Sequence, residues 1–130
     1  MKYLCLIYNE EARVAAMPAA AVEAIAGECV AYDEKLAQAG RFVACERLQP
    51  TRAARTVRFG DGKPSVTDGP FAETKEQLGG FYVIEARDHA EAIDIAASIP
   101  SARLATVEVW PLKDLAMVQE ARLATVSASR

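Results

Sequence analysis

Gly80-Phe81-Tyr82-Val83-Ile84-Glu85-Ala86, running through Arg87 into Asp88-His89-Ala90-Glu91-Ala92, is the stretch on which the reading of the fold turns. Its first part is dense in aromatic and β-branched residues and reads as a strand. The second part opens with Asp88 as an N-cap and Glu91 at the third helical position, the pattern that satisfies the free N–H groups of a helix start. Ala92, Ile95, Ala96 and Ile99 then fall on one helical face, and Pro100 ends the segment. Beyond it, Ala105–Leu112 alternates apolar and polar residues as a strand does, with Pro111 suited to an edge or a strand end. The C-terminal half is therefore a β-α-β unit.

The N-terminal half repeats that order. Lys2–Tyr8 is a short apolar run with aromatics at both ends, a strand buried on at least one face, and Asn9–Pro18 reads as a loop. Val22, Ile25, Cys29, Tyr32 and Leu36 recur at spacings of three and four, which makes one stripe of an amphipathic helix that Gly40 ends. Glu23, Glu28 and Lys35 fall largely off the stripe and read as a solvated face. Arg41–Leu48 is the second strand. Between the halves, Arg55–Phe59 and Pro64–Thr67 flank Gly60-Asp61-Gly62-Lys63, a hairpin signal. The order β-α-β, hairpin, β-α-β predicts an α+β fold of the ferredoxin-like plan, an antiparallel sheet with its helices on one face. The other face is left bare, and a second copy packed sheet to sheet is the simplest cover, so a homodimer is expected. Residues 1–112 make one domain. Residues 113–130 follow as an extension in which Leu115, Val118, Ala121 and Leu123 suggest a terminal helix and Val126–Arg130 a frayed end.

Composition narrows the function. The chain has 130 residues and a net charge of −3 with both signs dispersed, so it has no basic field with which to hold a nucleic-acid backbone. No apolar run approaches the roughly 18 residues of a membrane span, and Met1-Lys2 leads directly into a strand instead of a signal peptide, so a cytoplasmic location is expected. Cys5, Cys29 and Cys45 are odd in number, widely spaced and set in apolar surroundings, which reads as core. His89, the only histidine, stands at a helix start where it should be exposed. Neither a metal site nor a cofactor is expected.

The most unusual chemistry lies in Asp68-Gly69-Pro70-Phe71-Ala72-Glu73-Thr74-Lys75-Glu76, which leads through Gln77 and Leu78 to the glycine pair Gly79-Gly80. Asp68 opens a turn, but the residue two further on is Pro70, which has no N–H to offer it. The carboxylate is left to bond Phe71 or beyond, to meet an Arg or Lys, or to serve a ligand. Thr74 and Gln77 have the spacing of a capping box and suggest one helical turn, closed by Gly79 in a left-handed cap with a close backbone approach.

This signature resembles the DGPF, or DGPFAETKE, proteins of the YCII-related family, whose layout the chain follows from Met1 to Leu112. The resemblance implies a dimeric α+β barrel in which two sheets enclose a cavity. In a better-studied branch of that family a histidine on the first helix pairs with an aspartate; here the corresponding helix offers Tyr32 and Asp33 and no histidine. The family commonly ends in Glu-Val-Arg-Pro, whereas this chain has Glu108-Val109-Trp110-Pro111, with Trp110 as an apolar or stacking wall in place of a cation.

Two function classes follow. The first is a small-molecule enzyme whose cleft is closed by the signature loop and which moves a proton beside a carbonyl, with Asp68 as base and Arg103 or a hairpin arginine as cation. Gly69, Pro70, Phe71 and Trp110 are the accompanying ligand-binding candidates, and Glu85 and Glu108 are further carboxylates in otherwise apolar strands. Arg47, Arg52, Arg55 and Arg58 either grip an anionic ligand or decorate a solvated hairpin. The second class is a non-catalytic regulatory or protein-interaction module, with the charged Glu73-Thr74-Lys75-Glu76 segment as contact surface. The family resemblance links that class to extracytoplasmic-function sigma factors. A purely structural role for the signature, as a lock on loop and dimer, is the third reading.

Overall fold

The computed structural model describes residues 1–128, apart from the side chains of Met117, Val118 and Ala121. Four strands form the main sheet: β1 (Lys2–Asn9), β2 (Phe42–Arg47), β5 (Gln77–Glu85) and β6 (Thr106–Pro111). Their order is β2-β5-β1-β6, and every neighbouring pair is antiparallel. Helix α2 (Ala19–Gln38) joins β1 to β2, and α3 (His89–Ala97) joins β5 to β6 through a 3-10 turn at Pro100–Leu104. This is the α+β arrangement that the two β-α-β units predict, with the helices on one face.

Strand alternation selects which face is buried. Tyr3, Cys5 and Ile7 of β1 and Tyr82 and Ile84 of β5 turn towards the helices and meet Leu36, Ala92, Ala96 and Ile99 in one core. Ile84 and Cys5 are fully enclosed. Small residues on α3 let that helix lie close to the sheet, while Tyr32 of α2 spans the gap by donating a 2.7 Å hydrogen bond to the Ile95 carbonyl. The Asp88 cap forms as expected: its side chain accepts from the Glu91 N–H at 2.9 Å. Gly40 ends α2 with a φ of +70°.

Residues Leu4, Leu6, Phe81 and Val83 alternate onto the opposite face. Across the sheet one row runs Glu46, Phe81, Leu6, Glu108, and the next runs Ala44, Val83, Leu4, Trp110. Leu4, Leu6, Phe81 and Val83 are half-buried on this face, and Trp110 is 52% exposed there.

The hairpin of β3 (Arg55–Gly60) and β4 (Lys63–Asp68) pairs only with itself. Its turn residues Asp61 and Gly62 both have positive φ, 53° and 74°, the geometry whose twist suits a two-residue hairpin. Register places Val57 opposite Val66 and Phe59 opposite Pro64 on one side, with Thr56 opposite Thr67 and Arg58 opposite Ser65 on the other.

Some expectations change. The segment read as a loop after β1 contains a short helix, α1 (Glu11–Ala15), held by distant partners instead of a cap: Gln77 Oε1 accepts from the Glu11 N–H at 2.9 Å. The Glu11 carboxylate in turn accepts from the Thr51 N–H and hydroxyl at 2.7 and 2.9 Å. Thr74 and Gln77 do not start a helical turn. Gln77 already belongs to β5, and its amide donates to the Thr74 carbonyl at 2.6 Å. After β6, α4 (Leu115–Ala128) is a helix that continues through Val126, where the sequence predicts the start of a frayed end, with Leu115 and Leu123 exposed. Val118 and Ala121 were assigned to its apolar stripe; their side chains lie outside those described, as do Ser129 and Arg130.

Candidate functional site

Helix α2 crosses the β2–β5 side of the sheet, and there the packing admits polar groups. Tyr82 has the inward parity of β5 and is 3% exposed, with its ring edge-on to Phe42 at 6.3 Å. Its hydroxyl donates a 2.5 Å hydrogen bond to Oδ1 of Asp33, one residue beyond Tyr32 on α2. No other hydrogen bond reaches the Asp33 carboxylate among the described residues. A cavity of about 250 Å³ opens beside the pair, lined on the helix by Cys29, Val30 and Asp33 and on the sheet by Ile7, Cys45, Arg47, Gly80 and Tyr82.

The electrostatics separate donor from acceptor. Burial first, and then the hydrogen bond to Asp33, hold the Tyr82 phenol well above its ordinary range, so it remains a proton carrier. Burial likewise raises the Cys45 thiol beside it. Cys5, deeper in the core, is pushed up to about 11. Neither thiol has the thiolate character of a nucleophile at neutral pH. The arrangement presents the Asp33 carboxylate as acceptor and the Tyr82 phenol as neutral donor, with Arg47 and Glu46 also bordering a partly apolar space, which suits proton exchange with a small ligand.

The glycine pair shapes the cavity floor. A Cβ on Gly80 would sit 2.8 Å from the Glu46 carbonyl oxygen, and one on Gly79 would sit 3.0 Å from Nδ2 of Asn9. The β1–β5 register also shifts here, pairing Ile7 with Gly80 and Tyr8 with Leu78, so that Gly79 is the extra residue of a bulge. The close approach expected of this pair is present. The left-handed cap is not, because neither glycine has positive φ.

The residues singled out from the signature occupy other places. Asp68 stands directly across the hairpin from Arg55, and its Oδ1 lies 3.2 Å from the Arg55 Nε. Its side chain is 90% exposed. Gly69 takes a φ of +83°, donates to the Ala54 carbonyl at 2.8 Å and accepts from the Thr56 hydroxyl at 2.7 Å, which ties the turn to the hairpin base. Pro70 lines a cleft of about 450 Å³ with Leu48, Thr51, Ala72 and Thr74, and among the described residues no titratable side chain borders it. Phe71 is exposed.

Arg103 is not brought to Asp68: it pairs with Glu28 of α2 and donates to the Pro100 carbonyl at 3.0 Å. Glu85 meets the N-terminal ammonium at 3.2 Å. Glu108 stands on the open sheet face, where its hydrogen bond to Tyr8 raises that phenol's pKa. His89 is exposed at the start of α3 and lies edge-on to Tyr3. No group of three or more metal-ligating side chains occurs among the described residues. No described helix is long and apolar enough to cross a membrane.

Tyr82 and the Asp33–Tyr82 pairing escape a reading weighted to the signature. The available signal was Asp33 itself, a carboxylate four residues from Cys29 and three from Leu36 on the edge of the buried stripe, where a charge requires a partner.

Comparison with known proteins agrees with this architecture. A protein of Rhizobium meliloti (strain 1021), described only as uncharacterised, is 41% identical over 114 residues, covering 86% of this chain and 92% of that protein. The solved structure of 5-chloro-2-hydroxyhydroquinone dehydrochlorinase (TftG) from Burkholderia phenoliruptrix AC1100, in complex with 2,5-dihydroxybenzoquinone, shares the fold. Its TM-score is 0.51 at 16% identity, covering 87% of this chain and 94% of that one. Residues 1–116 match the YCII-related domain, and the chain belongs to the YCII-related family.

Proposed function

We propose that the protein binds a small cyclic organic ligand between α2 and the sheet and exchanges a proton with it at Asp33, with Tyr82 as the neutral donor that orients the carboxylate. The observation that carries this reading is the 2.5 Å Tyr82–Asp33 hydrogen bond at the wall of the cavity. A carboxylate so placed keeps one oxygen for a ligand while the phenol can replace a proton, the two halves of general acid–base chemistry. At about 250 Å³ the space is near the lower end of small-molecule sites, which suits a ligand of one substituted ring. The ligand of the fold neighbour, 2,5-dihydroxybenzoquinone, is of that size. The cleft under the signature loop is larger but offers no acid or base, so it fits this chemistry less well.

The test is chemical-shift mapping of the isotope-labelled protein during titration with 2,5-dihydroxybenzoquinone. The expected result is that the amides of Ile7, Cys45, Gly79, Gly80 and Tyr82 shift together, and that Asp33→Asn weakens the response. Shifts confined to Leu48–Ala54 and Pro70–Thr74 would move the ligand to the signature cleft, and the absence of any shift would contradict the reading.

A second reading, of an interaction module, rests on the hairpin. Val57, Val66 and Phe59 on its one apolar side are 53%, 63% and 79% exposed, and Phe71 beside it is 77% exposed. An isolated two-stranded hairpin is marginal in water, so an arm of this kind gains from a partner surface. Its proposed partner is a second copy of the chain, whose open sheet face carries Leu4, Leu6, Phe81 and Val83 between Glu46 and Glu108. A functional link to an extracytoplasmic-function sigma factor belongs to this reading, with the charged Glu73-Thr74-Lys75-Glu76 segment as the contact. Sedimentation of wild type and Phe59→Ser separates the cases: a dimer weakened by the substitution supports self-association, and a monomer in both contradicts it.

A further inference from the structure

Among the described residues, Arg47 is the arginine that borders the α2 cavity. Arg47, at the end of β2, has the same sheet parity as Cys45 and lines the space, and it makes no ion pair or side-chain hydrogen bond among the described residues. The other arginines gathered near the hairpin differ. Arg55 is engaged by Asp68, and Arg52 and Arg58 do not border the cavity. Glu46, the nearest carboxylate in sequence, also borders the cavity but has the opposite sheet parity, pairing with Phe81. The Asp33 carboxylate is already bonded to Tyr82. Arg47 is therefore a cation at a binding site with no anion of its own.

Register fixes its backbone offset from the acid–base pair. Arg47 is paired with Gly80 and Cys45 with Tyr82, so Arg47 and Tyr82 lie two residues apart along the strand direction. At roughly 3.4 Å per residue that step is about 7 Å, the span of a six-membered ring and one substituent. Gly80 has no side chain to fill the interval. The Asn9 amide and the Ser101 hydroxyl, also on the wall, can each donate or accept a hydrogen bond, so they serve polar substituents of either kind while Arg47 supplies the positive charge.

We infer that the ligand of this cavity is a ring compound bearing a carboxylate, which Arg47 grips in a forked pair while a hydroxyl or carbonyl at the other end of the ring meets Tyr82 and Asp33. The inference rests on the reading of the cavity as a small-molecule site and adds the class of ligand. Arg47 acts as a specificity residue: guanidinium matches a carboxylate with two parallel hydrogen bonds, which a lysine ammonium does not.

The experiment is calorimetric titration at neutral pH of wild type, Arg47→Gln and Arg47→Lys with 2,5-dihydroxybenzoate, its amide and hydroquinone. Circular dichroism checks that all three proteins are folded. Wild type is expected to prefer the acid over the amide by at least about tenfold, the scale of one charge-assisted pair. That preference is expected to fall to about twofold or less in Arg47→Gln and to be partly kept in Arg47→Lys, while hydroquinone binds all three alike. Equal affinity for acid and amide, or a preference that survives Arg47→Gln, overturns the carboxylate assignment and leaves the ring site standing. Failure of all three compounds to bind any of the proteins overturns both.

Discussion

Tyr82 and Asp33 are 49 residues apart in the chain and joined by a 2.5 Å hydrogen bond in the fold. The bond links the central strand β5 to α2 and places a carboxylate acceptor at the edge of a cavity that is otherwise largely apolar. Packing and candidate chemistry therefore share the same two side chains.

That sharing gives a measurable coupling. Tyr82→Phe and Asp33→Ala are each expected to lower unfolding free energy by about 1 kcal/mol, and the double variant by less than their sum, by about 1 kcal/mol of interaction. Urea unfolding of the four proteins measures it. Additive losses would mean that the hydrogen bond contributes nothing to the fold.

Two glycines should respond in opposite directions. Gly80→Ala puts a Cβ 2.8 Å from the Glu46 carbonyl oxygen, a backbone atom that can yield only by shifting β2, and should cost roughly 1–3 kcal/mol. Gly27 lies within α2 with open space around its missing side chain, so Gly27→Ala should gain up to about 1 kcal/mol from helix propensity. Thermal unfolding of both variants checks the pair.

Alkaline pH should weaken the fold. Cys5 keeps its proton in the folded chain to about 11, against an ordinary value of 9.0, so its contribution is complete below pH 9. Between those values the unfolded chain releases a proton that the folded chain retains, and stability falls by up to about 1.4 kcal/mol per pH unit. The raised Tyr82 phenol adds to the loss once pH passes its ordinary value of 10.0. Urea midpoints measured across this range should decline, and Cys5→Ala should flatten the first part of the decline.

The Arg55–Asp68 pair is exposed on both sides, so Asp68→Ala should change stability by less than about 1 kcal/mol. Because Asp68 does not border the α2 cavity, the same variant should bind a ring ligand there as wild type does. A large loss of ring affinity would return Asp68 to the centre of the chemistry.

Much of the architecture was legible because it depends on local rules. The Asp88 cap and the Asp61-Gly62 turn each follow from a few neighbouring residues. Helix α1 was not legible, since Gln77 and Thr51 hold it from far along the chain. Thr74 and Gln77 misled for a related reason: their capping spacing is real, but pairing of Gln77 with Asn9 claims that residue for the sheet. The Asp33–Tyr82 contact depends on how α2 lies across β5, which no local pattern encodes. The Asp68 signature drew attention through its density of unusual residues, and the structure accounts for much of it as hairpin geometry, through Gly69 and its bonds to Ala54 and Thr56.

The central claim is that Asp33 exchanges a proton with a ring bound beside it. Its most direct test is the rate at which the ring C–H of 2,5-dihydroxybenzoquinone exchanges for deuterium in heavy water, followed by proton NMR with wild type and Asp33→Asn. Wild type is predicted to accelerate exchange by about a hundredfold or more over buffer, the scale of a positioned general base, and Asp33→Asn to return it close to the buffer rate. Exchange at the buffer rate in a wild-type protein that demonstrably binds the ring, or acceleration that persists in Asp33→Asn, would contradict it.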